Sequence, residues 1–420
     1  MERIKKDRDM KEQIQGSYVR GMAADTEDIL DFADMVFSME HNRTDFVKIY
    51  PKAYAEERRH IPLHHMIKEG NKIRALVDIY PLTLKIGSHT LKAAYVGTVS
   101  VHPNSRGKGY MITLMEKAQE QALNDGFDIM LLDGDRHRYQ HFGFESVGIK
   151  TVFSFKIRNV WYCCNDLYPQ EEQIKYRFEF LEPNQANFEE VLDKLYAMYR
   201  HRIVTARSRE EFWWCLQSEQ METYAVYYDK KDILVGYLNI SKDWEMIEEF
   251  EVTAISQIPQ ILYCFMDAFD LDELSVCVGT DELGKIEYLD KVSKVWLNGA
   301  LRKMRILNYK NTLKFLMEWK QNICLLQDGE YCIGVIDSAQ NMLGAYQISV
   351  TKEKSMDGKS RIFVQETDTE PDIVLEEKKL IQALTTNYYF HLQNTTKNPL
   401  GTAPAGWFPL PFYLPNADAF

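Results

Sequence analysis

The residues from Val99 to Tyr110 are of the types that bind a phosphorylated anion. They read Val-Ser-Val-His-Pro-Asn-Ser-Arg-Gly-Lys-Gly-Tyr, so a strand-like stretch passes through a basic loop with two glycines into a helical pattern. A helix N-terminus presents unpaired N–H groups and a partial positive charge, and glycines let a phosphate approach the backbone closely. The pattern therefore predicts a phosphate-binding turn, with an ordinary strand-to-helix turn as the alternative.

Neither of the two familiar nucleotide-binding motifs is present in this turn. The Walker pattern requires Ser or Thr directly after its Gly-Lys pair, whereas Gly109 and Tyr110 follow Lys108. The dinucleotide-binding pattern requires a third glycine where Ile112 stands. The anion must therefore be held in a different way.

A second segment, Gly134 to Phe144, contains the sequence Tyr-x-x-Phe-Gly-Phe beginning at Tyr139. Together with Arg-x-x-Gly at Arg106, it resembles the acetyl-CoA core of the GCN5-related N-acetyltransferases (GNAT). In that superfamily the loop amides hold the pantetheine pyrophosphate and the tyrosine stands near the sulfur. The resemblance implies acetyl-CoA as co-substrate and no metal. Met111 departs from the pattern, because many relatives have Gly or Ala there.

The elements that must position these two motifs alternate between strands and helices. Apolar spacing and β-branched runs predict a helix, two strands, a helix and a strand at 27–39, 76–84, 91–101, 110–124 and 127–132. Pro103 ends the second strand, and Gly126 stands where a helix C-cap residue is expected.

A later stretch repeats the order strand, helix, strand, at 247–253, 258–269 and 274–278. We interpret it as a decayed internal repeat of residues 95–132. Its first turn, residues 254–257, contains neither glycine nor arginine. The second turn is therefore not expected to bind what the first one binds.

From about Trp296 the pattern changes to that of an α+β domain. It predicts a helix over 309–319 and two strands, 322–327 and 330–336, which flank a hairpin turn at Asp328-Gly329.

The chain ends in a segment that mixes prolines with large apolar side chains and stops at Phe420. Prolines alone would suggest a solvated linker, but this many exposed apolar side chains would make an unusual sticky patch. We therefore expect the tail to be buried, together with its terminal carboxylate.

Over nearly the whole chain, these features resemble the enhanced intracellular survival (Eis) family of acetyltransferases. The resemblance implies tandem GCN5-related acetyltransferase-like domains, the second degenerate, followed by a sterol-carrier-protein-like α+β domain. The corresponding boundaries are 1–155, 156–295 and 296–420. Some members of the family acetylate several amines of aminoglycosides, and members commonly assemble as hexamers, so a homo-oligomer is expected.

Acetyl transfer from a thioester to an amine needs a neutral nucleophile, stabilisation of an oxyanion, and a proton for the leaving thiolate. By resemblance, the strand residues pair with the pantetheine arm, a backbone N–H at Val99 faces the oxyanion, and the loop holds the pyrophosphate. The cofactor-binding residues so assigned are Val99, Val101, Arg106, Gly107, Lys108, Gly109 and Tyr110.

Tyr139 is the candidate general acid, because a phenol with a pKa of about 10 is protonated at neutral pH and can give its proton to the thiolate. A buried aromatic residue without a chemical role is the alternative. The family resemblance assigns the base to the terminal carboxylate of Phe420, against the alternative of a mobile chain end. Some relatives have an acidic penultimate residue, whereas Ala419 stands here and Asp418 precedes it.

Two other groups of polar residues carry weaker signals. We interpret the acidic residues around Asp25, Asp31 and Asp34 as the solvent-exposed face of an amphipathic helix. His137 and His141 are four residues apart, but no HExxH motif or third ligand accompanies them, so no metal site is predicted.

The composition of the chain favours some classes of partner and disfavours others. The 420 residues carry a formal net charge of −12, which disfavours nucleic acid and favours a cationic partner. Seven scattered cysteines fit a reducing compartment, and no signal peptide or run of about 18 apolar residues is present, so a cytoplasmic protein without membrane contact is expected.

The sequence thus predicts an acetyl-CoA-dependent N-acetyltransferase that acts on amines of small polycationic molecules such as aminoglycosides. Two alternatives remain open. One is an acetyltransferase for lysine side chains or protein N-termini. The other is a non-catalytic protein whose third domain binds an apolar ligand.

Overall fold

The computed structural model describes residues 16–39, 44–58, 61–169, 173–300, 302–351, 359–386 and 398–420. The predicted absence of a signal peptide concerns residues 1–15, which lie outside the described residues. The strands are β1 (Ser17–Arg20), β2 (His64–Glu69), β3 (Lys72–Ile86), β4 (His89–Val101), β5 (Ile129–Leu132), β6 (Glu145–Val147), β7 (Lys150–Lys156), β8 (Tyr176–Phe180), β9 (Glu222–Tyr228), β10 (Leu234–Ile240), β11 (Met246–Val252), β12 (Glu273–Gly279), β13 (Val295–Gly299), β14 (Arg302–Ile306), β15 (Gly329–Ile336), β16 (Met342–Thr351), β17 (Arg361–Glu366) and β18 (Ile373–Glu376).

The α-helices follow the apolar periodicity of the sequence. They are α1 (Thr26–Ser38), α2 (Phe46–Ile49), α3 (Pro51–Tyr54), α4 (Tyr110–Asn124), α5 (Arg136–Tyr139), α6 (Ile157–Leu167), α7 (Phe188–Tyr199), α8 (Arg209–Leu216), α9 (Ile258–Ala268), α10 (Leu283–Asp290), α11 (Tyr309–Gln321) and α12 (Glu377–Thr385). None of these described helices is both long and apolar enough to cross a bilayer.

The first sheet has seven strands in the order β1-β2-β3-β4-β5-β14-β6. Strands β4 and β5 run parallel, and helix α4 makes the crossover between them. They pair only from Ala93 to Val96 on β4, so the last five residues of β4 extend beyond the end of β5. This divergence opens the sheet beside the turn that leads into α4.

Both faces of the first sheet are covered, because its side chains alternate between two cores. On β3, Leu76 and Tyr80 point into a core shared with α1 and with the C-terminal part of the chain. Val77 and Ile79 point to the other side, where the apolar face of α4 packs. The sheet is therefore fixed from both sides around the point where β4 and β5 separate.

The second sheet also has seven strands, in the order β13-β7-β12-β11-β10-β9-β8. Strands β11 and β12 run parallel, with α9 as the crossover, which confirms the predicted order of strand, helix and strand. The turn between β11 and α9 forms a short 3-10 helix at Ile255–Gln257.

The third sheet has four strands in the order β17-β16-β15-β18. The predicted hairpin at Asp328-Gly329 is wrong: no strand precedes β15 there, and β15 pairs with β16 instead. The reason is tertiary, because the backbone N–H of Gln327 bonds to Ala405 in the tail rather than to a neighbouring strand.

The prediction of a buried tail is confirmed. The apolar side chains along it are buried, including Trp407, Leu410, Phe412, Leu414 and Phe420. Burying one large apolar side chain contributes about 1.5–3 kcal/mol, which offsets the entropy lost on ordering a chain end. The tail therefore belongs to the folded core.

The chain crosses between the first and second sheets at two places. After β6 in the first sheet, β7 lies in the second, and after β13 in the second sheet, β14 returns to the first between β5 and β6. The mixed α/β architecture with an α+β third part is as predicted. The boundaries at 155/156 and 295/296 stay predictions.

Candidate active site

The turn after β4 has the backbone that anion binding requires. Gly107 and Gly109 have φ values of 82° and 78°, a left-handed conformation that favours glycine. Gly109 is the N-cap of α4, and no side chain caps the helix. Among the described residues, the amides of 107–109 donate no hydrogen bond outside the turn. These N–H groups are therefore free to bind an anion.

Strand β4 is irregular just before this turn. Thr98 has φ 52°, a true outlier for a β-branched residue, and the pairing with β3 shifts between Gly97 and Ser100. The Thr98 side chain is fixed by the Tyr54 hydroxyl at 2.7 Å. Such strain is held at functional sites by the surrounding structure. The bulge leaves Val99 without a Cα partner on β3.

A cavity of about 1710 Å³ opens where β4 and β5 diverge. Its walls include eight of the nine site residues that the sequence predicts: Val99, Val101, Arg106, Gly107, Gly109, Tyr110, Tyr139 and Phe420. The structure thus brings together a helix N-terminus, a phenol and the last residue of the chain, although Arg106 and Phe420 are far apart in sequence.

Tyr139 lies at the end of α5, one wall of the cavity. Asp135 caps this helix by accepting hydrogen bonds from the amides of His137 and Arg138. Arg136 fixes it to β6 by a bidentate pair with Glu145, at 2.5 and 2.8 Å. Burial raises the pKa of Tyr139, although the Arg138 guanidinium opposes part of the increase. The phenol therefore stays protonated over a wider pH range than an ordinary tyrosine.

Phe420 also lines the cavity, and its aromatic ring packs against other rings. The ring stacks with Tyr80 and Tyr54, with centroid distances of 5.2 and 5.8 Å, and tilts against Tyr50 at 5.3 Å. Gly97 makes room for it, since a Cβ there would lie 2.1 Å from the ring. The last residue is therefore fixed in one place.

The residues before Phe420 are held by buried charges. Arg207 forms a bidentate pair with Asp418 at 2.6 and 3.1 Å, and its guanidinium also pairs with Glu249 at 2.7 Å. Lys52 donates to the carbonyl oxygens of Ala417, at 3.0 Å, and Ala419. Lys52 on α3 and Arg207, which itself pairs with Glu249 on β11, therefore anchor the chain end.

Comparison with known families identifies the first part of the chain. Residues 18–147 match the model of the acetyltransferase (GNAT) domain. The protein is an N-acetyltransferase. The matched residues contain the glycine turn and Tyr139, both of which line the cavity. No curated protein matches the sequence.

Solved structures with the same fold extend beyond residues 18–147, over the second and third sheets as well. The part of the chain from β8 to β13 is called the second unit below, and the part that ends before it is called the first unit. Eis1 from Mycobacterium abscessus is 14% identical with a TM-score of 0.62, covering 96% of this chain and 100% of that chain. A GCN5-related N-acetyltransferase from Anabaena variabilis is 16% identical with a TM-score of 0.60, covering 95% and 98%. One from Kribbella flavida is 15% identical with a TM-score of 0.59, covering 88% and 89%. At these identities the likeness shows the fold alone.

Two residues of the GNAT turn use their side chains for structure. Lys108 pairs with Glu69 at 2.7 Å and is not among the residues that line the cavity. The hydroxyl of Tyr110 donates to the same carboxylate at 2.5 Å, and its ring is buried against α4 and the first sheet. At these two positions the backbone rather than the side chain is left to bind an anion.

Sequence reasoning missed the carboxylates of the cavity wall, Asp133 and Glu219. Asp133 accepts a hydrogen bond from the Tyr95 hydroxyl at 3.0 Å and pairs with Arg302. The position of Asp133 directly after β5 was an available signal, because strand ends commonly carry site residues in α/β folds. Glu219 lies in an unremarkable stretch of the second unit, where the sequence gives no such signal.

The residues that hold the tail were also missed, namely Lys52, Arg207 and Glu249. Each is an isolated charged residue in the sequence, and Arg207 is separated from Asp418 by 211 positions. Burial lowers the pKa of Lys52, whereas the carboxylates around Arg207 raise its pKa despite the burial. Only the fold shows that these charges meet.

The acidic residues around α1 and the two histidines, which carried weaker signals in the sequence, are not part of the cavity site. Asp25 is buried and pairs with Lys68 at 2.5 Å, and no acidic residue of α1 lines the cavity. His137 and His141 belong to no metal-binding cluster: the part of the chain that the structure describes has no group of three or more His, Cys, Asp or Glu residues placed to hold a metal.

Proposed function

We propose that this N-acetyltransferase transfers acetyl from acetyl-CoA to amines of small polycationic molecules such as aminoglycosides. One observation carries the proposal: Tyr139, Phe420 and the glycine turn line a single cavity. A donor proton, a carboxylate and an anion site are the three groups that direct acetyl transfer needs.

The turn fits the diphosphate of acetyl-CoA. The amides of residues 107–109 are unpaired, the helix N-terminus adds a partial positive charge, and Arg106 lines the same wall. The strand beyond Val96 has no neighbour on the β5 side, so the pantetheine arm can pair with its backbone at Val99 and Val101. When bound, acetyl-CoA supplies the activated acetyl group.

The backbone N–H of Val99 is proposed to face the oxyanion that forms on the acetyl carbonyl. The bulge at Thr98 removes the regular partner of Val99, which agrees with this role. One well-placed oxyanion donor is worth about 2.7–4 kcal/mol in other enzymes.

The proton transfers follow from the two remaining groups. The terminal carboxylate of Phe420, with a reference pKa of about 3.5, takes a proton from the acceptor ammonium directly or through water. The neutral amine attacks the acetyl carbon, and its nitrogen, now cationic, loses a second proton to solvent. The C–S bond breaks, and the Tyr139 phenol gives its proton to the thiolate. The proton held by the carboxylate then returns to the phenolate through solvent.

We also propose membership of the Eis family, with a sterol-carrier-like third domain and a cytoplasmic location. By the same resemblance we propose a homo-oligomeric assembly, with the hexamer of the family as its form. The three-part chain and the buried aromatic C-terminus support this. The structural likeness to Eis1 over 96% of the chain agrees with it. The predicted boundaries 1–155, 156–295 and 296–420 belong to the same proposal.

The test is release of free coenzyme A over a panel of aminoglycosides, polyamines and lysine peptides, repeated after one alanine is added behind Phe420. We expect turnover of the small polycations, and a loss of turnover with unchanged acetyl-CoA binding in the extended protein. Phe420→Leu is the matched control, since it keeps the carboxylate.

Three outcomes would contradict parts of this account. Turnover of lysine peptides alone would favour the protein-modifying alternative. Full activity of the extended protein would remove the role of the terminal carboxylate. If the protein neither binds acetyl-CoA nor releases thiol, the alternative of a non-catalytic protein that binds an apolar ligand would be favoured.

A further inference from the structure

The second unit places one carboxylate in the cavity. Glu219 lies in the short 3-10 segment Ser218–Gln220, between α8 and β9. This segment packs against α2 on one side and against Asn416–Asp418 of the tail on the other. Glu219 therefore reaches the cavity beside the chain end, although its own sheet is the second one.

Glu219 has no hydrogen bond or ion pair with any described residue. The neighbouring Gln220 differs, because it accepts a hydrogen bond from Lys242, which lines the same wall. The Glu219 side chain is exposed where it lines the cavity. A carboxylate placed in this way can bind a cation without breaking an existing interaction.

The other carboxylates around the cavity are already occupied. Asp133 pairs with Arg302 and accepts from Tyr95. Asp418 pairs with Arg207, and Glu248 accepts a hydrogen bond from Asn416 at 2.9 Å. Asp133 and Asp418 each pair with an arginine, whereas Glu219 forms no ion pair with a cation of the described chain.

The pKa of Glu219 reflects its position in the cavity wall. Confinement by the surrounding protein raises the pKa of Glu219, with the Arg302 guanidinium opposing the increase and the Asp133 carboxylate adding to it. A bound ammonium group would oppose the same increase, because an opposite charge favours the ionised carboxylate.

We infer that Glu219 binds a second ammonium group of the acceptor, so that the degenerate unit selects molecules with at least two amines. This inference rests on the proposed function, in which Phe420 receives the amine that is acetylated. Two carboxylates on one cavity would then hold a diamine at both ends. A monoamine would contact only one of them.

The test compares 1,5-diaminopentane with 1-aminopentane, by calorimetry and by coenzyme A release. Glu219→Gln keeps the shape of the side chain and removes its charge. We expect the diamine to bind about tenfold more weakly to this variant, as for loss of a charged hydrogen bond, and the monoamine to bind equally to both proteins. Glu219→Asp should recover part of the preference.

The control is Glu190→Gln, which removes one charge from the exposed face of α7, where Glu190 pairs with Lys194 at 2.6 Å. It should leave both affinities unchanged. Thermal unfolding of each variant shows whether the fold is retained.

Equal diamine affinity in the wild type and in Glu219→Gln would overturn the inference. So would a wild-type protein that binds the monoamine as tightly as the diamine, or no diamine at all. A protein that binds the diamine through Glu219 but releases no coenzyme A would contradict the proposed function and leave this inference standing.

Discussion

Two regions of the molecule share one topology, but of the two only the first lines the cavity that contains Tyr139 and Phe420. In the first, β4, α4 and β5 surround the glycine turn, and in the second, β11, α9 and β12 have the same order and the same parallel pairing. The second turn is a 3-10 helix without glycine, and none of residues 254–257 lines the cavity. The strand-helix-strand order alone therefore does not produce a site.

The second unit contributes to the same cavity through other residues. It supplies Arg207 and Glu249, which hold the tail, and Glu219, which lines the cavity wall. The second unit has no glycine turn of its own, but it holds the tail and adds a carboxylate to the wall of the cavity. The following variants test this division, beginning with the largest expected effect.

Arg207→Met should cost about 3–5 kcal/mol of unfolding free energy, because it leaves Glu249 and Asp418 as uncompensated buried charges. Urea unfolding followed by circular dichroism measures this. Arg209→Met is the control, since Arg209 pairs with exposed carboxylates on α7 and should cost less than about 1 kcal/mol. Equal stability of the two variants would show that the second unit does not anchor the chain end.

Tyr139→Phe should lower kcat at least about 100-fold with little change in the KM for acetyl-CoA, because the leaving thiolate loses its proton donor. Steady-state thiol release measures both constants. The wild-type alkaline limb should lie above the range of an ordinary tyrosine, since burial raises the pKa of Tyr139 and the proton is lost only as pH rises through that value. Tyr288→Phe, on α10 of the second unit, should have no effect on kcat, and an equal loss in both variants would refute the assignment.

Gly107→Ala should raise the KM for acetyl-CoA about tenfold, because a left-handed residue with a side chain costs about 1–2 kcal/mol and the turn would change shape. Gly126→Ala is the control, because Gly126 has a similar φ of 69° but lies at the end of α4 and does not line the cavity. An added Cβ at either glycine would meet no atom within 4 Å, so the two variants differ in location and not in crowding. If the two variants weaken acetyl-CoA binding equally, the turn is not the anion site.

Arg106→Met should raise the KM for acetyl-CoA about three- to fivefold, as expected for an exposed charge. Lys108→Met should change it less than about twofold, because that ammonium is paired with Glu69. Steady-state kinetics of the two variants measure the difference. A larger effect at Lys108 than at Arg106 would mean that the pair with Glu69 opens when acetyl-CoA binds.

Local patterns predicted much of this fold, since they depend on neighbours in the sequence. The helix at Tyr110–Asn124 and the repeated strand-helix-strand order follow from apolar spacing. The hairpin at Asp328-Gly329 failed because Gln327 pairs with the tail, a contact that no local pattern encodes.

The same limit applies to the site. The turn and Tyr139 lie within short motifs and could be found from the sequence. The strained Thr98, the anchor at Arg207 and the free carboxylate of Glu219 depend on segments that meet only in the folded chain. Sequence spacing carries no information about such meetings.

The central claim is that acetyl-CoA binds to the first unit and reacts between Tyr139 and Phe420. A crystal structure of the full chain with coenzyme A tests it most directly. We expect the pyrophosphate on the amides of residues 107–109 and the sulfur beside the Tyr139 hydroxyl, with Phe420 in the wall of the same cavity. Coenzyme A seated at residues 254–257, or Phe420 displaced out of the cavity, would contradict it.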